Sequence, residues 1–317
     1  MKLHLKITMR IFRIACFLLI LTLLFAEVSD LLVRKSLTQP WDMSVKIGGF
    51  YNEPKNSFDV MYFGSSHMYC SIDPKMVEEQ TGLHSYVLAT QEQPIWISYY
   101  YMKEALKTQS PKAVVLEVNM MTEKKKFPKE GTLYSAMDPI PLSKNKLDMV
   151  FASAPNGERR NYIFNIMKYH DRWEELTLED YKREYQKKCD PYQGFVRLEQ
   201  ITPIESREDI SNVIETREPL SKTMQYLEKI YELTNKEGIT LIFLKTPSNA
   251  TRKEQMLYNA AWKFAEEHDI AYIDYNQKYE ELGLKLNEDF YDRRHLNFRG
   301  VQKLTPSFSA YLLQQIS

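Results

Sequence analysis

Cysteine and histidine are scarce in this chain, and net charge is absent. Three cysteines in 317 residues, Cys16, Cys70 and Cys189, cannot build a disulfide framework, and Cys16 falls in an apolar N-terminal run. Cys70 and Cys189 are widely separated and are expected to be free, buried thiols. The six histidines (His4, His67, His84, His170, His268 and His295) are scattered, with no HExxH and no CxxC, so neither a metal site nor a cofactor is expected. The 42 basic residues balance 42 acidic ones, and no Lys/Arg stripe interleaved with aromatics occurs, which excludes nucleic acid as a partner. Internal repeats and low-complexity tracts are missing as well. What remains, 44% hydrophobic and 26% charged, is globular material, long enough for one sizeable core plus additions.

The N-terminus carries Lys2, Lys6, Arg10 and Arg13, followed by IACFLLILTLLFA with no charge until Glu27. Ile14 to Ala26 is short for a span, but Ile11 and Phe12 extend it when Arg13 snorkels to the headgroups. Each candidate cleavage site lacks one small residue, because Leu24 lies two before Ala26 and Glu27 two before Ser29. An uncleaved single-pass anchor over residues 1–30 is expected, with the N-terminus cytoplasmic and everything after about Asp30 outside the cell membrane. Residues 31–56, with Pro40, Gly48-Gly49 and Pro54, read as a connector. The NAT sequon at Asn249 matters only in a eukaryotic secretory route.

From Ser57 to the C-terminus, short apolar runs alternate with helical patterns. FDVMYF (58–63), SYVLA (85–89), AVVLEVN (113–119), TLIFLK (240–245) and AYID (271–274) predict five strands covered on both faces. Helices are predicted at 73–81, 94–108, 219–236, 251–268 and 298–315. That alternation implies a three-layer α/β/α sandwich on a mainly parallel five-stranded, flavodoxin-like sheet. Residues 120–215 interrupt it as an insertion, opened by the lysine run EKKKFPKE, which reads as a solvated loop, with a helix expected around Tyr181 to Lys188.

In an open α/β sheet, reactive side chains stand just past the carboxyl ends of strands. Those positions hold Gly64, Ser65, Ser66 and His67; Thr90 and Gln91; Asn119; and Lys245 and Thr246. The loop before the last helix, YDRRHLNFRG, adds Asp292 and His295. A hydroxyl on a tight turn, an imidazole and a carboxylate are the components of nucleophilic acyl chemistry. The two-residue gap between Asp292 and His295 lets one short turn hold the carboxylate against the ring, which favours Asp292 over its rival Asp289. His67 reads as a turn residue or a partner behind the site, and Lys245 and Glu117 as either a buried ion pair or substrate contacts.

FGSSH and DRRHLN resemble the blocks of the SGNH (GDSL-like) hydrolases, and the chain is similar to their membrane-anchored branch, the DltD and alginate O-acetylation proteins. The resemblance covers about residues 57–119 and 238–315. It implies Ser66 as nucleophile, with Ser65 where the family has aspartate, and Asp292 and His295 as acid and base. Ala89 or Thr90 stands where the family's second block offers an oxyanion-hole N–H, and Asn119 is the nearest counterpart of the third block, which is otherwise missing. The implied activity is a serine esterase or O-acyltransferase working on a cell-envelope polysaccharide or teichoic-acid-like polymer, with a multi-span membrane O-acyltransferase as possible partner. The alternatives are a non-catalytic binding or scaffolding module of the same fold and a hydrolase of soluble lipids.

Overall fold

The five apolar runs form one sheet. A computed structural model describes residues 2–33, 41, 43–182 and 188–316. In chain order it holds α1 (Lys2–Leu32), α2 (Ser44–Phe50), β1 (Val60–Gly64), α3 (Ser66–Tyr69), α4 (Pro74–Thr81), β2 (Ser85–Ala89), α5 (Ile95–Ala105) and β3 (Ala113–Glu117). The insertion carries α6 (Glu130–Met137), α7 (Lys144–Ser153), α8 (Arg159–Ile163), α9 (Ile166–Tyr169) and α10 (Leu178–Lys182). Then follow α11 (Ser221–Glu237), β4 (Thr240–Lys245), α12 (Arg252–Glu267), β5 (Ala271–Asp274), α13 (Tyr279–Leu282) and α14 (Phe298–Ile316).

Every strand pair is parallel, in the order β2-β1-β3-β4-β5. Tyr62 of β1 stands opposite Val87 on one side and Val115 on the other. β1, β2 and β3 are buried at every position, which is why they read as apolar runs with polar residues only at an end, Ser85 in β2 and Glu117 in β3. With right-handed crossovers, the reversal of direction after β2 puts α4 and α14, which pack together, on one face and the packed pair α5 and α11 on the other. The α/β/α reading of the sequence therefore holds. Local chemistry sets the helix ends: Asp73 caps α4 ahead of Pro74, a Thr251/Glu254 capping box starts α12, and left-handed Gly82 and Gly238 close α4 and α11.

Two expectations change. The second half of the connector belongs to the domain, since Met43, Ile47 and Phe50 are in the core and the Tyr86 hydroxyl donates to the Lys46 carbonyl at 2.6 Å. Three apolar side chains in the seven residues of α2, Val45, Ile47 and Phe50, are too few to show a helical period in sequence. The insertion also returns to the core, and its Gln193 carbonyl accepts the Val87 N–H at 2.8 Å, blunting the exposed edge of β2. Gly194 makes that approach possible, because a Cβ there would stand 2.0 Å from the Val87 carbonyl oxygen. Cys70 is buried and free as expected, whereas Cys189 is free but exposed. The helix expected around Tyr181 to Lys188 falls mostly outside the described residues; α10 ends at Lys182.

α1 stands apart from this packing. Its segment Lys6–Leu32, with mean hydropathy 2.4, is long and apolar enough to cross a membrane, and its side chains from Ile7 to Val28 are largely exposed.

Candidate active site

The sheet reverses direction between β1 and β3, so the carboxyl ends of these two strands flank a crevice. β1 ends at Gly64, with φ at +153° and a Cβ position 2.7 Å from Glu117 Cβ, a place only glycine can occupy without displacement. Ser65 then caps α3, its hydroxyl accepting the His67 N–H at 3.3 Å and donating to Glu117 Oε2 at 3.0 Å. An aspartate at 65 would set its carboxylate against that of Glu117; serine is the residue this neighbour accommodates. Glu117 also accepts the Asn119 N–H at 2.7 Å, so one buried carboxylate ties the turns after β1 and β3 together.

Ser66 is the first residue of α3. Its Oγ lies 2.8 Å from His295 Nε2 across 229 positions of sequence. On the far side of the ring, His295 Nδ1 lies 3.0 and 2.9 Å from the two oxygens of Asp292. Asp292 Oδ1 accepts the N–H groups of Arg294 and His295 at 2.7 and 2.8 Å, so the D-R-R-H turn folds around its own carboxylate. The Tyr291 N–H donates to the His295 carbonyl at 2.9 Å and closes the loop. Nδ1–H directed at Asp292 leaves Nε2 as the acceptor facing the serine hydroxyl. Burial works to raise the Asp292 pKa, but the bonds from His295 and the backbone outweigh it and hold the carboxyl below its ordinary value.

Aromatic rings shield the imidazole. Trp41 packs with its centroid 5.1 Å from that of His295 and also touches Tyr69 and Tyr291. His67 lies 4.9 Å away on another side, buried, with an unpartnered Nδ1. Burial first, then the positive charges of Lys245, His295 and Arg294, push His67 well below the usual 6.5. As pH falls through 6.5 the unfolded chain takes up this proton and the folded chain does not, so stability drops on the acid side of that value. Thermal melts taken from about pH 7 to about pH 5 should therefore show a shallower decline in His67→Gln than in the wild type. Equal slopes would remove His67 from this account.

The other expected residues are placed unequally. Asn119 joins Ser66 on the cavity wall, with its Oδ1 held by the Tyr258 hydroxyl at 2.9 Å and its Nδ2 unbonded among the described residues. Ala89 and Thr90 are fully buried and outside that wall; Thr90 donates to Gln93, and Glu92 is the residue of this loop that reaches the cavity. Asp289 is engaged with Lys303 and the Lys285 N–H, away from His295. Lys245 and Glu117 are not an ion pair: the Lys245 ammonium donates to the Thr246 carbonyl and to Ser248, while Glu117 holds Ser65 and Asn119.

The cavity over Ser66, His67 and His295 measures about 570 Å³. The lysine run is an exposed loop, as expected, and it also stands at this cavity, which Lys124, Lys125 and Lys129 line together with Arg217, Lys253 and Arg294. Three carboxylates face them. Glu92 pairs with Lys129, Glu254 pairs with Arg294, and Glu123 accepts the backbone N–H groups of Lys124 and Lys125. Lys124, Lys125, Arg217 and Lys253 keep no ion-pair partner among the described residues, so the mouth is net positive. The signal was present in the chain: the run begins four residues after Asn119, where the carboxyl end of β3 delivers it. A cleft of about 630 Å³ near the amino ends of β4 and β5 contains His268 but neither serine nor cysteine among the described residues.

No protein-family model matches this chain, and no curated protein is similar to it. Among solved structures it is similar to one described as an acylhydrolase of Bacteroides fragilis, at 11% identity and TM-score 0.40, over 90% of this chain and 100% of that one. It is also similar to an acetylxylan esterase of Geobacillus stearothermophilus, at 12% identity and TM-score 0.39, over 83% and 95% of the two chains. An acetyl xylan esterase of Butyrivibrio proteoclasticus follows at 10% identity and TM-score 0.34, over 83% and 66%. These likenesses are of overall shape. The class that this chain's own fold and side chains define is an α/β protein with a serine, a histidine and an aspartate in hydrogen-bonded series at the carboxyl edge of a parallel sheet.

Proposed function

We propose that the chain is a membrane-anchored serine esterase or O-acyltransferase of the SGNH type, acting on acyl esters of an anionic cell-envelope polymer. The observation that carries this reading is the 2.8 Å contact from Ser66 Oγ to His295 Nε2, with Asp292 on the other ring nitrogen. Ser66 Oγ attacks the acyl carbonyl carbon as its proton passes to His295 Nε2, and Asp292 stabilises the resulting imidazolium. The tetrahedral oxyanion is met by the Ser66 N–H at the start of α3 and by Asn119 Nδ2. His295 then protonates the departing alkoxide, leaving an acyl group on Ser66. Water or a sugar hydroxyl attacks that acyl-enzyme and gives its proton to His295, which returns it to Ser66 Oγ as the acyl–oxygen bond breaks, releasing acid or the new ester. In the transfer case a multi-span membrane acyltransferase is the natural source of acyl groups.

The test is covalent. A fluorophosphonate should add its phosphonyl group to Ser66 with loss of fluoride and stop p-nitrophenyl acetate turnover in parallel; labelling elsewhere, or turnover surviving full labelling, would sink the serine mechanism. The unpaired cations at the mouth support an anionic substrate, phosphate- or carboxylate-bearing, over a neutral one. Raising salt from low to about 0.5 M should lower kcat/KM on an acetylated polyanion roughly tenfold or more, and on an acetylated neutral glycan far less. Similar salt responses on both polymers would leave the esterase reading standing and remove the anionic preference.

A further inference from the structure

We propose that the insertion seats the domain on the membrane: helices α8 to α10 form a collar around the outer end of α1, and their exposed aromatic and aliphatic side chains enter the lipid interface. This rests on reading α1 as a membrane span. The largely exposed, predominantly apolar surface of α1 runs from Ile7 to Val28, a length of roughly 32 Å at 1.5 Å per residue, close to the roughly 30 Å of a bilayer's hydrocarbon core. Where it ends, the collar begins. The Phe164 ring packs edge-on against Phe25 at 5.9 Å, the Ile166 N–H donates to Ser29 Oγ at 3.1 Å, and Ser29, Leu32 and Val33 are buried. Arg172 donates to the Leu32 and Val33 carbonyls at 3.1 and 2.8 Å, satisfying the orphan acceptors of the helix end, and is itself fixed by Asp180 at 2.7 Å.

The collar is therefore held at headgroup depth, and what it exposes suits that depth. Phe164, Met167, Trp173, Leu178 and Tyr181 are between 43% and 75% exposed. Five large side chains of this kind within 18 residues of sequence are costly in water, and Trp and Tyr are the residues that favour the interface. Residues 159–182 hold five Lys/Arg and five Asp/Glu, so the attraction is apolar and aromatic, not electrostatic. The occupant is the lipid interface itself, zwitterionic lipid sufficing.

The full chain, reconstituted in phosphatidylcholine vesicles, tests this through tryptophan quenching by lipids brominated near the headgroup end of the acyl chains. Quenching is expected in the wild type, to persist in about 1 M salt, and to be largely lost in Trp173→Phe but retained in Trp262→Phe. Equal quenching in wild type and Trp173→Phe would overturn the seat. So would a Trp173 shielded from both brominated lipid and aqueous acrylamide, since a protein partner or second copy would then cover the patch. Alkaline carbonate extraction separates the two readings: a chain that washes off the vesicles loses its anchor, whereas a chain that stays with Trp173 unquenched loses only the seat.

Discussion

Ser66→Ala should lower ester turnover by on the order of 10⁴-fold or more while leaving the fold intact. Ser66 Oγ is the oxygen that meets His295 Nε2, so the base keeps no nucleophile to activate once it is removed. Alanine is a good first residue for α3, whose cap comes from Ser65, and the lost hydrogen bond is worth about 1 kcal/mol. Urea midpoints of variant and wild type should nearly coincide, and that coincidence assigns the activity loss to chemistry. Undiminished turnover of p-nitrophenyl acetate by Ser66→Ala would end the serine-esterase reading and leave a binding module of the same fold.

Asp292→Asn is expected to cost nearly as much, on the order of 10⁴ in kcat, for a subtler reason. The Asp292 carboxylate now takes the Nδ1 proton of His295 and two backbone N–H groups. An asparagine keeps its carbonyl oxygen on the backbone donors and turns its NH₂ toward the ring. Nδ1 must then accept, the proton moves to Nε2, and Ser66 faces a donor where it needs an acceptor. Because the turn keeps its backbone bonds, thermal stability should change little, and nitrogen-15 shifts of His295 should report the exchanged tautomer. A variant with unchanged kcat would mean that Asp292 only shapes the loop.

Strand positions, helix ends and the two chemical motifs were legible locally. Runs such as VMYFG and AVVL read as strands because both faces are covered, and Asp73-Pro74 and the NKEG that ends in Gly238 mark helix ends within a few residues. The D-R-R-H spacing was equally readable, since its turn closes on its own carboxylate. The lysine run is exposed, as its polar neighbours indicate, but that composition does not show that it also walls a cavity, which depends on the third strand that delivers it. Trp41 shows the same limit more sharply: nothing in the connector's composition places an indole on an imidazole 254 residues away, as counted from 41 to 295.

By itself the sequence determined the alternation of strand and helix, the apolar N-terminal segment, and which residue types stood ready at the strand ends, all of which depend on contacts within a few residues. Only the tertiary structure decided that Ser66 meets His295, that Glu117 bonds Ser65 and Asn119, and that four cations without an ion-pair partner among the described residues surround the mouth. Those are consequences of strand order, β1 lying between β2 and β3, and crossovers bring together groups that no local periodicity can relate.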